Sequence, residues 1–203
     1  MKRGLLYNRW MGSIAASNLS NKNVVISTVS DATLQETGIH WNEFIKRVLE
    51  LPFSGSLVKI EGIWIDPAHN YLLYEYMICE TLRAKITDVQ PTGASRKSDT
   101  LTASKVKHFF LDIIQGIELL HSYGFLHPGL STKKILITKH GVCKLYDFCL
   151  SYDASKIVAL KKPQTMSSLN DFAPEALFRN EYTQKSDVWS LAVVLWEVLS
   201  AGM

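Results

Sequence analysis

Residues 127–150 read His127-Pro128-Gly129-Leu130-Ser131-Thr132-Lys133-Lys134-Ile135-Leu136-Ile137-Thr138-Lys139-His140-Gly141-Val142-Cys143-Lys144-Leu145-Tyr146-Asp147-Phe148-Cys149-Leu150. Two short apolar runs, 135–137 and 143–146, are joined by a Lys139-His140-Gly141 turn, which is the pattern of two paired strands. Upstream, Val106, Phe109, Phe110, Ile113, Ile114, Ile117 and Leu120 recur at helical spacing and predict a long helix over 101–123. Downstream, 151–170 is polar, and a last helix opens near Asp187. That helix is apolar almost all round, as a helix placed in a core would be.

Ahead of the long helix, the segment 88–100 is polar and rich in turn formers, so it reads as a loop. Before that loop β-type runs dominate, at 5–7, 13–16, 24–29, 57–65 and 71–77. One amphipathic helix interrupts them, carrying Trp41, Phe44, Ile45, Val48 and Leu49, with Pro52 just past its end. The expected architecture is α+β: a five-stranded antiparallel sheet with one helix in residues 1–87, and a mainly helical half in 101–203.

The composition is that of a globular protein, with 47% hydrophobic and 20% charged residues in 203. A net charge of +3 without a Lys/Arg stripe argues against a nucleic-acid partner. The three cysteines, Cys79, Cys143 and Cys149, fit no zinc spacing and read as free thiols in a reducing compartment. No apolar run is long enough for a membrane span, and the basic N-terminus lacks the apolar stretch of a signal peptide.

The second half closely resembles the protein kinases. His127-Pro128-Gly129-Leu130 and the following Lys134-Ile135-Leu136-Ile137 resemble the catalytic loop, HRDLxxxN with its apolar triplet. Asp147-Phe148-Cys149 resembles the DFG motif, Ala173-Pro174-Glu175 is an intact APE, and Ser186-Asp187-Val188-Trp189 resembles the opening of the large lobe's central helix. Met11-Gly12-Ser13-Ile14 is similar to the end of the Gly-rich loop, Val24-Val25-Ile26-Ser27 to the VAIK strand, and Leu73-Tyr74-Glu75-Tyr76-Met77 to the hinge with Tyr74 as gatekeeper. Leu195-Trp196-Glu197-Val198 and Lys133 lean toward the tyrosine-kinase branch. The resemblance implies a single bilobal kinase-like domain over 1–203, with a large lobe that stops after its central helix.

The resemblance also implies ATP and Mg²⁺ as ligands, in a pocket made of Gly12, Ile14, Val25, Tyr74, Glu75, Met77 and Leu136, with Asp147 on the metal. Against this stand the replacements. The glycines of G-x-G-x-x-G fall on Tyr7, Arg9 and Gly12, so two of three side chains crowd a backbone that must approach phosphates. Ser27 replaces the strand lysine, with Arg9 and Lys22 as candidate substitute cations. Glu43 is the nearest candidate for that lysine's helix partner, although the apolar face of the helix favours Phe44 or Ile45 pointing inward. Gly129 replaces the base aspartate, Pro128 the arginine that reads a phosphorylated segment, and Lys134 the metal-binding asparagine. An ammonium has no lone pair to give a metal. Cys149 stands in place of a flexible glycine and reads as a buried thiol; His127, Phe148 and Leu136 read as packing residues, and Asp187 as the carboxylate holding the catalytic-loop backbone.

The expectation is therefore a pseudokinase: a cytoplasmic signalling scaffold or allosteric partner of an active kinase, alone or as the cytoplasmic part of a receptor. ATP binding should be weak or absent, and whatever remains should depend little on Mg²⁺. The competing readings are a divergent active protein tyrosine kinase and the kinase-homology domain of a receptor guanylate cyclase.

Overall fold

The β-type runs of the first half pair into one sheet. A computed structural model describes residues 2–3, 8–16, 19–66, 69–87, 101–161 and 171–201. Strands β1 (Lys2–Arg3), β2 (Asn8–Ala16) and β3 (Leu19–Thr28) are followed by helices α1 (Asp31–Thr37) and α2 (Trp41–Val48), then β4 (Ile60–Ile65) and β5 (Asn70–Glu75). The sheet order is β1-β2-β3-β5-β4 and every neighbour is antiparallel. The predicted strand at 5–7 and the predicted loop at 88–100 lie outside the described residues.

The first half holds more helix than expected. Ser30 caps α1 by accepting the Thr33 N–H, and Gly38 ends it at φ +61°, so a separate helix precedes the predicted one. Strand β6 (Cys79–Thr81) and helix α3 (Leu82–Thr87) complete this part, making three helices where the periodicity gave one. In α2, Trp41, Phe44, Ile45 and Val48 are buried, as their spacing requires, while Leu49 lies past the helix end and is exposed.

The second half is built on α4 (Ala103–Ser122), capped by the Thr102 hydroxyl. Strand β7 (Phe125–Leu126) follows, then a 3-10 turn at Thr132–Lys134, β8 (Ile135–Thr138), β9 (Cys143–Leu145) and β10 (Cys149–Leu150). β8 lies between β6 and β9, and β10 pairs with β7. The predicted polar stretch at 151–170 is corrected in its first part: a 3-10 turn at Ser151–Asp153 leads into α5 (Ala154–Lys161), which buries Ala154, Ile157 and Val158. Helix α6 (Pro174–Arg179) precedes α7 (Gln184–Ala201). Val194 and Val198 of α7 are buried, but Val188, Trp189, Trp196 and Leu199 are exposed, so this helix is covered on one face only.

One aromatic cluster joins the halves. Phe44 of α2 meets Phe125 and Phe148 with ring centroids 5.9 Å away from each, and Phe125 and Phe148 stand 5.4 Å apart. Phe148 is thus packed against both halves, next in sequence to Asp147. A second tie lies beside it, where Asp153 accepts the His40 N–H and Lys156 donates to the Gly38 carbonyl. No helix among the described residues is long and apolar enough to cross a membrane.

Candidate functional site: the cleft around Asp147

The register of β2 and β3 sets Arg9 directly opposite Ser27. Opposed residues of an antiparallel pair project to the same face, so a cation stands beside the place where the resemblance puts the strand lysine. The Arg9 guanidinium reaches Asp147 Oδ1 at 3.2 Å and lies over the Tyr146 ring, 5.7 Å from its centroid. Ser27 is buried, and its hydroxyl has no hydrogen-bond partner among the described residues. Of the two candidate substitute cations, Lys22 is engaged elsewhere, pairing with Glu61 at 2.6 Å. That pair holds the Glu61 carboxyl below its ordinary range.

Lys134 approaches Asp147 from the opposite lobe. Its Nζ stands 4.0 Å from Asp147 Oδ2 and donates to the Pro128 carbonyl at 3.4 Å. Two cations therefore bracket one carboxylate that is only 11% exposed. Asp147 itself adopts φ +70°, an uncommon conformation for a residue with a side chain. The unusual backbone angle of this motif thus sits at Asp147, while Cys149 is extended in β10 and buried.

Gly129 has φ +72°, and a Cβ placed there would lie 3.2 Å from Lys134 Nζ and 3.3 Å from Phe172 Cζ. The space near an absent side chain is thus shared by a lysine and an aromatic edge. Behind the loop, the Asp187 carboxylate accepts the His127 N–H at 2.7 Å and bonds the His121 ring at 2.9 Å. Asp187 sits in the first turn of α7, whose first helical residue is Gln184. His127 is fully buried, and neither ring nitrogen finds a partner among the described residues. Burial, reinforced by the Lys134 charge, pushes its imidazole pKa down to about 4.

The remaining predicted residues lie on β2 (Gly12, Ile14), β3 (Val25), β5 (Tyr74, Glu75) and β8 (Leu136), with Met77 just past β5. Val25 pairs with Tyr74 across β3 and β5. Burial, with the Asp147 charge adding to it, raises the Tyr74 phenol well above its ordinary range. The Glu75 carboxylate is held by Lys144 at 2.5 Å and accepts the Lys59 N–H. Met77 and Leu136 are half-buried, and Ile14 is exposed. At Gly12 a Cβ would come within 2.6 Å of Ile26 Cδ1, so a side chain there would have to turn the end of the Ile26 side chain aside. Glu43 is solvent-facing and bonds the Tyr152 hydroxyl rather than Ser27, while Phe44 and Ile45 point inward. All three cysteines are free, with Cys79 exposed and Cys143 and Cys149 buried.

The family model for protein tyrosine and serine/threonine kinases matches residues 6–203. The tyrosine kinase receptor Cad96Ca of Drosophila melanogaster is 30% identical over 200 residues, covering 92% of this chain and 25% of that protein. Fibroblast growth factor receptor 1 of Pleurodeles waltl is 30% identical over 155 residues, covering 72% of this chain and 19% of that protein. The chain thus spans a quarter or less of the length of these relatives. By its antiparallel sheet, its helical second half and this match along nearly its whole length, the chain belongs to the protein tyrosine and serine/threonine kinase family.

Proposed function

We propose that this tyrosine-kinase-like domain is a pseudokinase, working by binding in signalling as a scaffold or as an allosteric partner of an active kinase. The observation that carries the reading is the bracketing of Asp147 by Arg9 and Lys134. Magnesium demands near-octahedral oxygen ligands at about 2.0–2.1 Å. A carboxylate flanked by a guanidinium and an ammonium, with a lysine in place of the second ligand, does not fit that ion. Gly129 offers no base to orient an attacking hydroxyl, and general base catalysis is worth roughly a hundred- to ten-thousand-fold. Phosphoryl transfer is mostly positioning and charge stabilisation, and groups acting as a unit lose most of the rate with the first deletion.

The relatives are receptors by name, which supports a place in the cytoplasmic part of a signalling receptor. The test is a transfer assay on the purified chain with radiolabelled ATP, Mg²⁺ or Mn²⁺, and a mixed peptide pool. No label should reach peptide or protein. Turnover that disappears in Asp147→Ala would overturn the reading in favour of a divergent active kinase.

A further inference from the structure

We propose that Arg9 and Lys134 form a polyphosphate-binding pair that takes the place of the metal, so that the cleft binds nucleoside polyphosphates free of divalent cation. This deepens the pseudokinase reading and rests on it. Three observations converge. First, Arg9 stands opposite Ser27, so the positive charge lost from β3 reappears one strand away on the same face. Second, Arg9 and Lys134 reach Asp147 from different lobes, at 3.2 Å and 4.0 Å. The cluster of these three charges is net positive, where two carbonyl or carboxylate ligands around a metal would need the metal to become so. Third, Ser27, directly opposite Arg9, is buried with a hydroxyl that finds no hydrogen-bond partner among the described residues, a neutral polar group next to the cation.

The chemistry suits an anion better than a cation. A guanidinium forms paired, charge-assisted hydrogen bonds to phosphate oxygens, and an ammonium acts as a compact point charge. Together they neutralise two phosphate charges, as one divalent ion does. A Mg²⁺-loaded nucleotide brings two positive charges against two more and binds less well. Asp147 changes sign of effect: on a metal-dependent site it recruits the nucleotide, whereas here it competes with phosphate for the same two cations.

The experiment measures thermal stabilisation of the purified chain by ATP, ADP and inorganic tripolyphosphate, each in EDTA and in excess Mg²⁺. A ligand bound to the folded state alone raises stability as its concentration passes the Kd. ATP and tripolyphosphate should stabilise in EDTA, and Mg²⁺ should reduce the effect. Arg9→Gln and Lys134→Gln should each weaken binding about ten- to a hundredfold, the range expected on losing one charged hydrogen bond. Asp147→Asn should tighten it. Lys22→Gln, whose charge is spent on Glu61, should leave it unchanged. Stabilisation only with Mg²⁺, none in EDTA, weakening by Asp147→Asn, or equal weakening by Lys22→Gln would each overturn the proposal. If Arg9→Gln fails to fold, the Lys134 and Asp147 variants decide. Label transfer, counted separately in the Mg²⁺ samples, refutes the pseudokinase reading instead, so the two failures are distinguishable.

Discussion

The two oxygens of Asp153 bind two different groups of His40: one accepts its backbone N–H and the other its Nδ1–H, both at 2.9 Å. This contact fastens the segment after Phe148 to the junction of α1 and α2, with Lys156 adding a bond to the Gly38 carbonyl at 2.8 Å. Asp153 is 1% exposed, so its amide replacement leaves a buried acceptor set without its charge. Asp153→Asn should lower stability by about 1–3 kcal/mol in urea unfolding and speed amide exchange in 154–161. Unchanged exchange in α5 would show that the helix holds its place without this tie.

His127 gives the domain an acid-sensitive stability. Its folded pKa of about 4 lies below the ordinary 6.5, so between those values the unfolded chain binds more protons than the folded one. Stability from this residue is therefore complete above pH 6.5 and is lost as pH falls toward 4. The full loss is on the order of 3 kcal/mol, taking about 1.4 kcal/mol per pKa unit. Urea unfolding at pH 7, 6 and 5 should show a steeper decline for the natural chain than for His127→Gln. Parallel declines would assign the acid sensitivity to other groups.

Gly12 separates packing from phosphate approach. Gly12→Ala should cost about 1 kcal/mol or less, because the Cβ meets the rotatable end of the half-buried Ile26 side chain. Ile26→Val removes that methyl, so in a double-mutant cycle the cost should shrink in the Ile26→Val background. Additive costs would mean the sheet yields elsewhere.

Restoring the missing base should fail by itself. Gly129→Asp must hold φ +72° beside Phe172 and Lys134, a backbone cost of about 1–2 kcal/mol. Lys134 would sit on the new carboxylate, and Ser27 would still lack a charge. Label transfer should stay at background in Gly129→Asp, and Ser27→Lys with Gly129→Asp and Lys134→Asn is the smallest set with a chance of turnover. Activity in the single variant would overturn this account of the loss.

Much of the scaffold was legible because its cause is local. The inward face of α2 follows from Trp41, Phe44, Ile45 and Val48 at helical spacing, and the β8–β9 hairpin from apolar runs about a glycine turn. Helix α1 is not legible from periodicity because its signals are caps, Ser30 with Thr33 at one end and Gly38 at the other. Helix α5 escaped because it packs on only a few apolar residues within a polar segment. The pairing of Arg9 with Asp147 joins residues 138 apart and depends on strand register, since a slip of one residue would turn Arg9 to the other face. The vacated positions Ser27, Gly129 and Lys134 could be named from the sequence; what filled the space around them could not.

Asp187 carries a broader consequence. One carboxylate oxygen holds the His127 backbone and the His121 ring, and so threads the loop between α4 and α7 with no help from the residues that would have done chemistry on it. Asp187 is a recognisable motif residue with a mechanical duty, distinct from the positions at Gly129 and Lys134 on which the proposed loss of chemistry rests. On the proposed function, frame and chemistry separate: the loop can stay tied to α7 through Asp187 whatever side chains stand at positions 129 and 134.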